Sequence, residues 1–246
     1  VKNCRRCFFR DQPALSLIGM SENPFDPTFD ELPEILPIFP LTGVLLLPRA
    51  ELPLNIFEPR YLAMVDQALA GRRMIGMLQP SLETKGLQMG STPCFPLGCV
   101  GRIVSFAETE DGRYLITLKG MLRFKVGEEL SLEKGFRRVR PDYAEFRDDL
   151  ESPEVLEDFF DRDRLLTALR AYFNVKRIRA DWEAIEQAPG ERLITSLAMA
   201  CPFEALEKQA LLMAPNLSTR AETLIKLLEL DASSAQETQG GAKPRH

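Results

Sequence analysis

From Pro33 to about Phe146, apolar residues fall in short runs broken by Gly, Pro and charged turns, the pattern that strands leave in a sequence. Beyond Ser152 they recur at helical spacing instead. Ile35 to Phe39 and Val44 to Leu47 are predicted strands, punctuated by Pro40, Gly43 and Pro48. Leu52 to Phe57 is a third, and its Pro53 points to a sheet edge, where a missing amide donor costs no ladder bond, or to an irregular entry. Glu58-Pro59-Arg60-Tyr61 opens a helix: Pro59 suits the first turn, and Glu58 lies near the positive end of the dipole. Leu62, Val65 and Leu69 mark its predicted buried stripe, Gly71 ends it, and Met74 to Leu78 resumes as strand before a polar loop from Gln79 to Pro96. The clearest local element is a hairpin, Cys99 to Glu108 and Arg113 to Met121, around Thr109-Glu110-Asp111-Gly112, where Asp-Gly supplies positive φ angles. Its strands are apolar enough to predict burial on both faces, as in a small closed barrel, and Leu122 to Val126 and Phe136 to Val139 continue the sheet.

The acidic stretch Arg147 to Glu151 is a natural boundary, and Ser152-Pro153 has the form of an N-cap followed by Pro at the first helical position. Val155, Leu156, Phe159 and Phe160 lead into Leu165, Leu166, Leu169, Tyr172 and Phe173 on one buried face. Trp182 to Gln187 is a short helix. Leu193, Ile194, Leu197 and Cys201 form the next stripe, then Leu206, Ala210 and Met213. The last helix opens on a capping box, Thr219 to Glu222, and carries Leu224, Ile225 and Leu228. The fold class is therefore α+β. The organisation is a leader over 1–32, a strand-rich unit over 33–146, a helical unit over 152–230 and a polar, Gly-rich tail over 231–246 expected to be disordered. Residues 1–19 lack periodicity, and Met20-Ser-Glu-Asn-Pro reads as an alternative translation start.

Composition narrows the function classes only a little. With 246 residues, 45% apolar and 27% charged, the chain is of ordinary globular type. A net charge of −5 disfavours a phosphate backbone as partner. No apolar run suggests a spanning helix, and Arg10, Asp11 and Gln12 interrupt what would be a signal peptide, so a cytoplasmic location is expected. Five cysteines in a chain of this size fit a reducing compartment.

The segment Leu36-Pro-Ile-Phe-Pro-Leu-Thr-Gly-Val-Leu-Leu-Leu-Pro48, followed by Leu52-Pro-Leu-Asn-Ile-Phe-Glu-Pro-Arg-Tyr61, resembles the N-terminal substrate-binding domain of Lon proteases. Gly98-Cys-Val-Gly-Arg-Ile-Val104, Tyr114-Leu-Ile-Thr-Leu-Lys-Gly120 and Arg123-Phe124 extend the likeness to about Pro33–Leu230, nearest to stand-alone bacterial proteins made of this domain alone. The resemblance implies a PUA-like β pseudo-barrel followed by a C-terminal helical bundle. It implies binding of unfolded or client polypeptides, with a protease or ATPase as partner. No G-x-x-x-x-G-K-[ST] phosphate loop is present and the remaining chain is too short for an ATPase or peptidase module, so no enzyme activity and no cofactor are expected.

Within Leu36–Tyr61 the candidate peptide-contact residues are Phe39, Pro40, Leu41, Pro48, Phe57, Glu58, Arg60 and Tyr61, since extended peptides bind through strand edges and apolar pockets. The competing reading is that Ile38, Phe39, Leu45, Leu54, Ile56 and Phe57 are core, and that Glu58 and Arg60 are a cap and an ion pair. Cys4, Cys7, Cys94 and Cys99 supply the number of thiolates a zinc site needs, but read better as small buried residues. The sole histidine is His246, which removes Ser-His and Cys-His dyads from the folded region. Arg137, Arg138 and Arg140, with Arg123, Lys125 and Lys134, make the best basic patch, and RNA binding by a PUA-like module is the rival function.

Overall fold

The computed structural model describes residues 25–81, 92–151 and 160–240. The leader through residue 24 with its start at Met20, the cap at Ser152-Pro153 with Val155, Leu156 and Phe159, and His246 all lie outside these residues. The strands are β1 (Leu36–Pro40), β2 (Glu51–Ile56), β3 (Met74–Leu78), β4 (Leu97–Glu108), β5 (Tyr114–Glu133) and β6 (Phe136–Asp142). They form one sheet in the order β2-β5-β4-β3-β1-β6, and β6 pairs back onto β5, closing a ring. Among the described residues only β1 and β3 run parallel.

Closure depends on the length of β5, whose 20 residues replace the two shorter strands the sequence predicts there. Tyr114 to Lys119 pair with β2, and Lys125 to Glu133 pair with β6 across a turn at Lys134-Gly135, so β2 and β6 share one edge of β5. The opposite edge carries β4. In the β4–β5 turn only Gly112 has positive φ, at 77°. A Cβ there would meet nothing within 4 Å, so the glycine serves the backbone conformation.

Two expectations for the strands fail. Val44 to Leu47 do not form a strand: Leu45, Leu46 and Leu47 are all buried in succession, and side chains satisfy the local backbone. Gln79 accepts from the Gly43 amide at 3.1 Å and donates to the Val44 carbonyl, and Lys208 Nζ donates to the Gly43 carbonyl at 2.7 Å. Burial on both faces holds for β4 only from Leu97 to Gly101, with Ile103 also buried; Val104 to Glu108 are exposed, because the hairpin end extends beyond the core.

The first helix, α1 (Pro59–Ala70), starts with Pro in its first turn and ends at Gly71. It buries Tyr61, Met64, Val65 and Ala68, one position away from the predicted Leu62 and Leu69, which are only half-buried. After a 3-10 segment (Ala144–Leu150) come α2 (Arg162–Lys176), α3 (Trp182–Gln187), α4 (Gly190–Ala200), α5 (Ala205–Met213) and α6 (Leu217–Gly240). On α5 the predicted face is reversed: Leu206, Ala210 and Met213 are exposed, while Lys208, Gln209, Leu211 and Leu212 are buried. The reason is polar anchoring. Gln209 Nε2 donates to the Leu97 carbonyl at 3.1 Å, and Lys208 Nζ to the carbonyls of Gly43 and Met199. The cap of α6 is Asn216, whose side chain accepts from the Thr219 amide at 2.8 Å, and Glu222 instead pairs with Arg164 and Lys226. The same helix continues past Leu230, where the polar composition predicts a disordered tail; Asp231 pairs with Lys176 at 2.9 Å and Ala232 is buried.

One apolar cluster joins Leu46, Ile103 and Leu118 of the sheet side to Leu211, Leu224 and Ile225 of the helices, and a second fills the ring around Leu36, Ile38, Val100 and Phe124. Each such fully buried Leu, Ile or Phe contributes about 1.5–3 kcal/mol relative to exposure. Arg123 is the polar link between the layers. Only 7% exposed, it donates twice to Asp149 at 2.8 Å and caps the end of α5 through the carbonyls of Leu212, Ala214 and Pro215.

Candidate functional site

Several exposed apolar side chains of the sheet lie at the free end of the β2–β5–β4 ribbon. Strand β2 pairs with β5 alone, leaving its other edge without a strand partner among the described residues. Leu52, Leu54 and Ile56 point into the core while Glu51, Pro53 and Asn55 are exposed, and Pro53 fits an edge position because it can donate nothing to a ladder. Register sets Asn55, Leu115 and Ala107 side by side across the three strands. Leu115 is 45% exposed, and Phe57, two residues beyond Asn55, is 63% exposed. On the other face of the same hairpin Phe106 stacks edge-on against Tyr114 at 5.0 Å, and Val104 is exposed beside a register shift between Ile103 and Ser105.

The surrounding charge is mostly negative. Glu108 and Glu110 have no ion-pair partner among the described residues, and Glu51, also unpaired, lies at the far end of the ribbon opposite Lys119. Asp66 of α1 accepts from the Tyr114 hydroxyl, which raises the tyrosine's pKa. The basic groups nearby are engaged: Arg113 with Asp111 at 2.7 Å, Arg60 with Glu58 at 2.8 Å, Lys119 with Asp26 at 2.5 Å. Arg102, opposite Lys119 and Met74, stands at the far end of the ribbon.

Of the residues singled out in the sequence, the structure brings Phe57, Glu58 and Arg60 to the surface and encloses others. Phe39 and Tyr61 are buried and stack at 4.3 Å, tying β1 to α1; burial raises the Tyr61 pKa, and the Arg60 guanidinium covers its ring at 4.6 Å. Pro48 is buried, and Pro40 and Leu41 are half-buried. Ile38, Leu45, Leu54 and Ile56 are core, as is Phe39, whereas Phe57 is not. Glu58 occupies the N-cap of α1 without a capping bond and pairs with Arg60 instead. Sequence reading did not single out Leu115, Phe106 and Val104; the signal was present, since the turn at Gly112 marks where a hairpin can outrun its core.

The cysteines sit apart from any such surface. Cys99 is buried and its thiol pKa is raised by that burial; Cys201 is pushed up to about 12 for the same reason. Cys94 is half-buried, its pKa raised by burial and partly offset by Arg137 at 3.2 Å. Among the described residues no group of three or more His, Cys, Asp and Glu side chains could hold a metal ion; Cys4 and Cys7 lie outside them. Of the basic patch, all but Lys134 are paired with carboxylates of this chain. Arg137 pairs with Glu129 at 2.6 Å, Arg138 with Glu133, Arg140 with Glu128 at 3.3 Å, Lys125 with Glu145, and Arg123 with Asp149. A shallow groove between α2 and α6 is lined by Arg164, Thr167, Ala168, Ala171, Glu229, Ala232 and Ser233, with Arg164 already held by Glu222 and Glu229. Among the described residues no helix is long and apolar enough to cross a membrane.

The fold is α+β, a closed ring of strands with a helical layer against it. The ATP-dependent protease La (LON) substrate-binding domain family matches residues 35–229, and the chain belongs to that family. A Lon protease of Flavobacterium johnsoniae is 25% identical over 211 residues, covering 82% of this chain and 25% of that protease. Another, of Desulfosudis oleivorans, is 28% identical over 98 residues, covering 40% of this chain and 12% of that protease. The chain thus spans a quarter or less of the length of these relatives. A Lon N-terminal domain protein from Xanthomonas campestris shares the fold, with a TM-score of 0.51 at 21% identity over 78% of this chain and 97% of that one.

Proposed function

We propose that this chain is a non-catalytic recognition module that binds exposed apolar segments of client polypeptides, serving protein quality control in the cytoplasm beside a protease or ATPase partner. The observation that carries this reading is the free β2 edge bordered by Phe57 and Leu115, at 63% and 45% exposure. An extended client can add to such an edge through its main chain and seat alternate apolar side chains on the adjoining face. Membership of a family described by substrate binding supports the same reading. RNA binding is the weaker alternative, because the arginines it would use are paired with carboxylates and the ribbon end is acidic.

The test is fluorescence anisotropy with a labelled, permanently unfolded polypeptide and, separately, a labelled single-stranded RNA. Binding of the polypeptide should weaken about tenfold in Phe57→Ser/Leu115→Ser, since two large apolar contacts are each worth about 1 kcal/mol or more. Both side chains are exposed, so circular dichroism should be unchanged. Equal polypeptide binding by the variant, or salt-sensitive binding of RNA alone, would defeat the reading.

A further inference from the structure

We infer that the junction between sheet and helices carries an anion site at Arg220, which takes a carboxylate or phosphate group end-on between the two terminal amino groups of its guanidinium. This goes beyond the client-binding reading and does not depend on it. Arg220 lies near the start of α6, is only 6% exposed and donates through Nε to the Leu211 carbonyl at 3.0 Å. Its Nη1 and Nη2 have no hydrogen-bond partner, and the side chain no ion pair, among the described residues. Neither nitrogen is among the enclosed side-chain atoms left unpaired, so both reach solvent. Two more guanidiniums converge on the same place. Arg123 holds the carbonyls of Leu212, Ala214 and Pro215, directly after the one that Arg220 holds, together with the Asp149 carboxylate. Arg49 donates to the Asp149 carbonyl at 2.9 Å.

The carboxylates present leave Arg220 unanswered. Asp149 commits both oxygens to Arg123, at 2.8 Å each, and Glu191 is held by Arg49 at 2.7 Å. Three guanidiniums thus meet two carboxylates, and Arg220 is the surplus cation. Burial first, then the charge of Arg123, brings its pKa down to about 10, with Asp149 opposing in part, so it is still charged at neutral pH. A buried charge without a counter-ion is costly, and an arriving anion gains a partner already stripped of much of its water. With Nε taken by Leu211, the free donors are the two parallel N–H groups of Nη1 and Nη2. They match two oxygens of one group, which favours carboxylate or phosphate over chloride.

The experiment follows the Tm of the full chain while inorganic phosphate or N-acetylglycine replaces chloride at constant ionic strength, which holds general salt effects nearly fixed. In the wild type the Tm should rise saturably, by about 5–11 °C at a hundredfold the half-saturating concentration. Arg220→Gln should abolish the response. Arg220→Lys, which keeps the charge but loses the two-point fork, should raise the half-saturating concentration about tenfold or more, and it decides the matter if the Gln variant does not fold. A response to phosphate alone assigns a phosphate ligand, one to N-acetylglycine alone assigns a polypeptide C-terminus, and one to both assigns their shared chemistry. No saturable rise in the wild type, or the same rise in an Arg220 variant, would overturn the site and leave the client-binding reading untouched.

Discussion

Replacing Arg123 by Met would remove the guanidinium that joins the strand layer to the helices while keeping most of the apolar stem. In the native protein this side chain is 7% exposed and makes two bonds to Asp149 at 2.8 Å, one to the Ala214 carbonyl at 2.8 Å and longer ones to the carbonyls of Leu212 and Pro215. The Met variant leaves Asp149, itself nearly buried, with the Arg123 backbone amide at 2.9 Å as its one hydrogen bond from this position and the nearby Arg220 as the remaining cation. Removing one partner of a buried ion pair costs about 3–5 kcal/mol, chiefly through the charge left behind. In a chain of this size each kcal/mol lowers the Tm by about 2–4 °C, so the expected drop is about 6–20 °C. Urea unfolding followed by far-ultraviolet circular dichroism and by the fluorescence of Trp182, the only tryptophan, would measure it. Both probes should shift together, because a continuous apolar cluster spans sheet and helices. A double variant Arg123→Met/Asp149→Asn should lose less than the two single losses added, by about 1 kcal/mol or more. A loss under about 1 kcal/mol for Arg123→Met, or strict additivity, would refute the argument, since surface-type pairs behave that way.

Two further outcomes follow from the packing. Gly120→Ala would drive a methyl into the Leu47 carbonyl group, with the carbonyl carbon at 2.8 Å, and break the paired bonds of Gly120 with Arg49 and Ala50, each 2.8 Å; the expected loss is about 3 kcal/mol or more by thermal denaturation, against about 1 kcal/mol for Gly112→Ala, whose added Cβ meets nothing. Lys208 has its pKa lowered from 10.5 by burial, with Cys201 opposing in part, so the unfolded chain binds more protons than the folded one between the lowered value and 10.5. Stability of the wild type relative to Lys208→Met should therefore rise with pH across that window, and a difference that stays flat as pH approaches 10.5 in parallel urea titrations would contradict the burial argument.

What the sequence determined by itself was the order of elements, most helix and strand positions, the hairpin turn at Gly112 and the family, because periodicity, turn chemistry and motif order are local properties of the chain. It also narrowed Pro53 to a sheet edge or an irregular entry, since the missing donor is a covalent fact, and strand pairing decided for the edge. Tertiary structure decided which faces were buried wherever a polar side chain was recruited inward. Lys208 and Gln209 turned α5 over because their bonds to carbonyls of Gly43, Met199 and Leu97 outweigh the apolar pull of Leu206 and Met213. Gln79 and Lys208 likewise held Val44–Leu47 out of the sheet by satisfying its backbone. The candidate site followed the same division: Phe57 was legible as a large apolar residue in the family segment, but its exposure, and that of Leu115 and Phe106, depends on how far β4 and β5 run past the core, a length that strand pairing alone fixes.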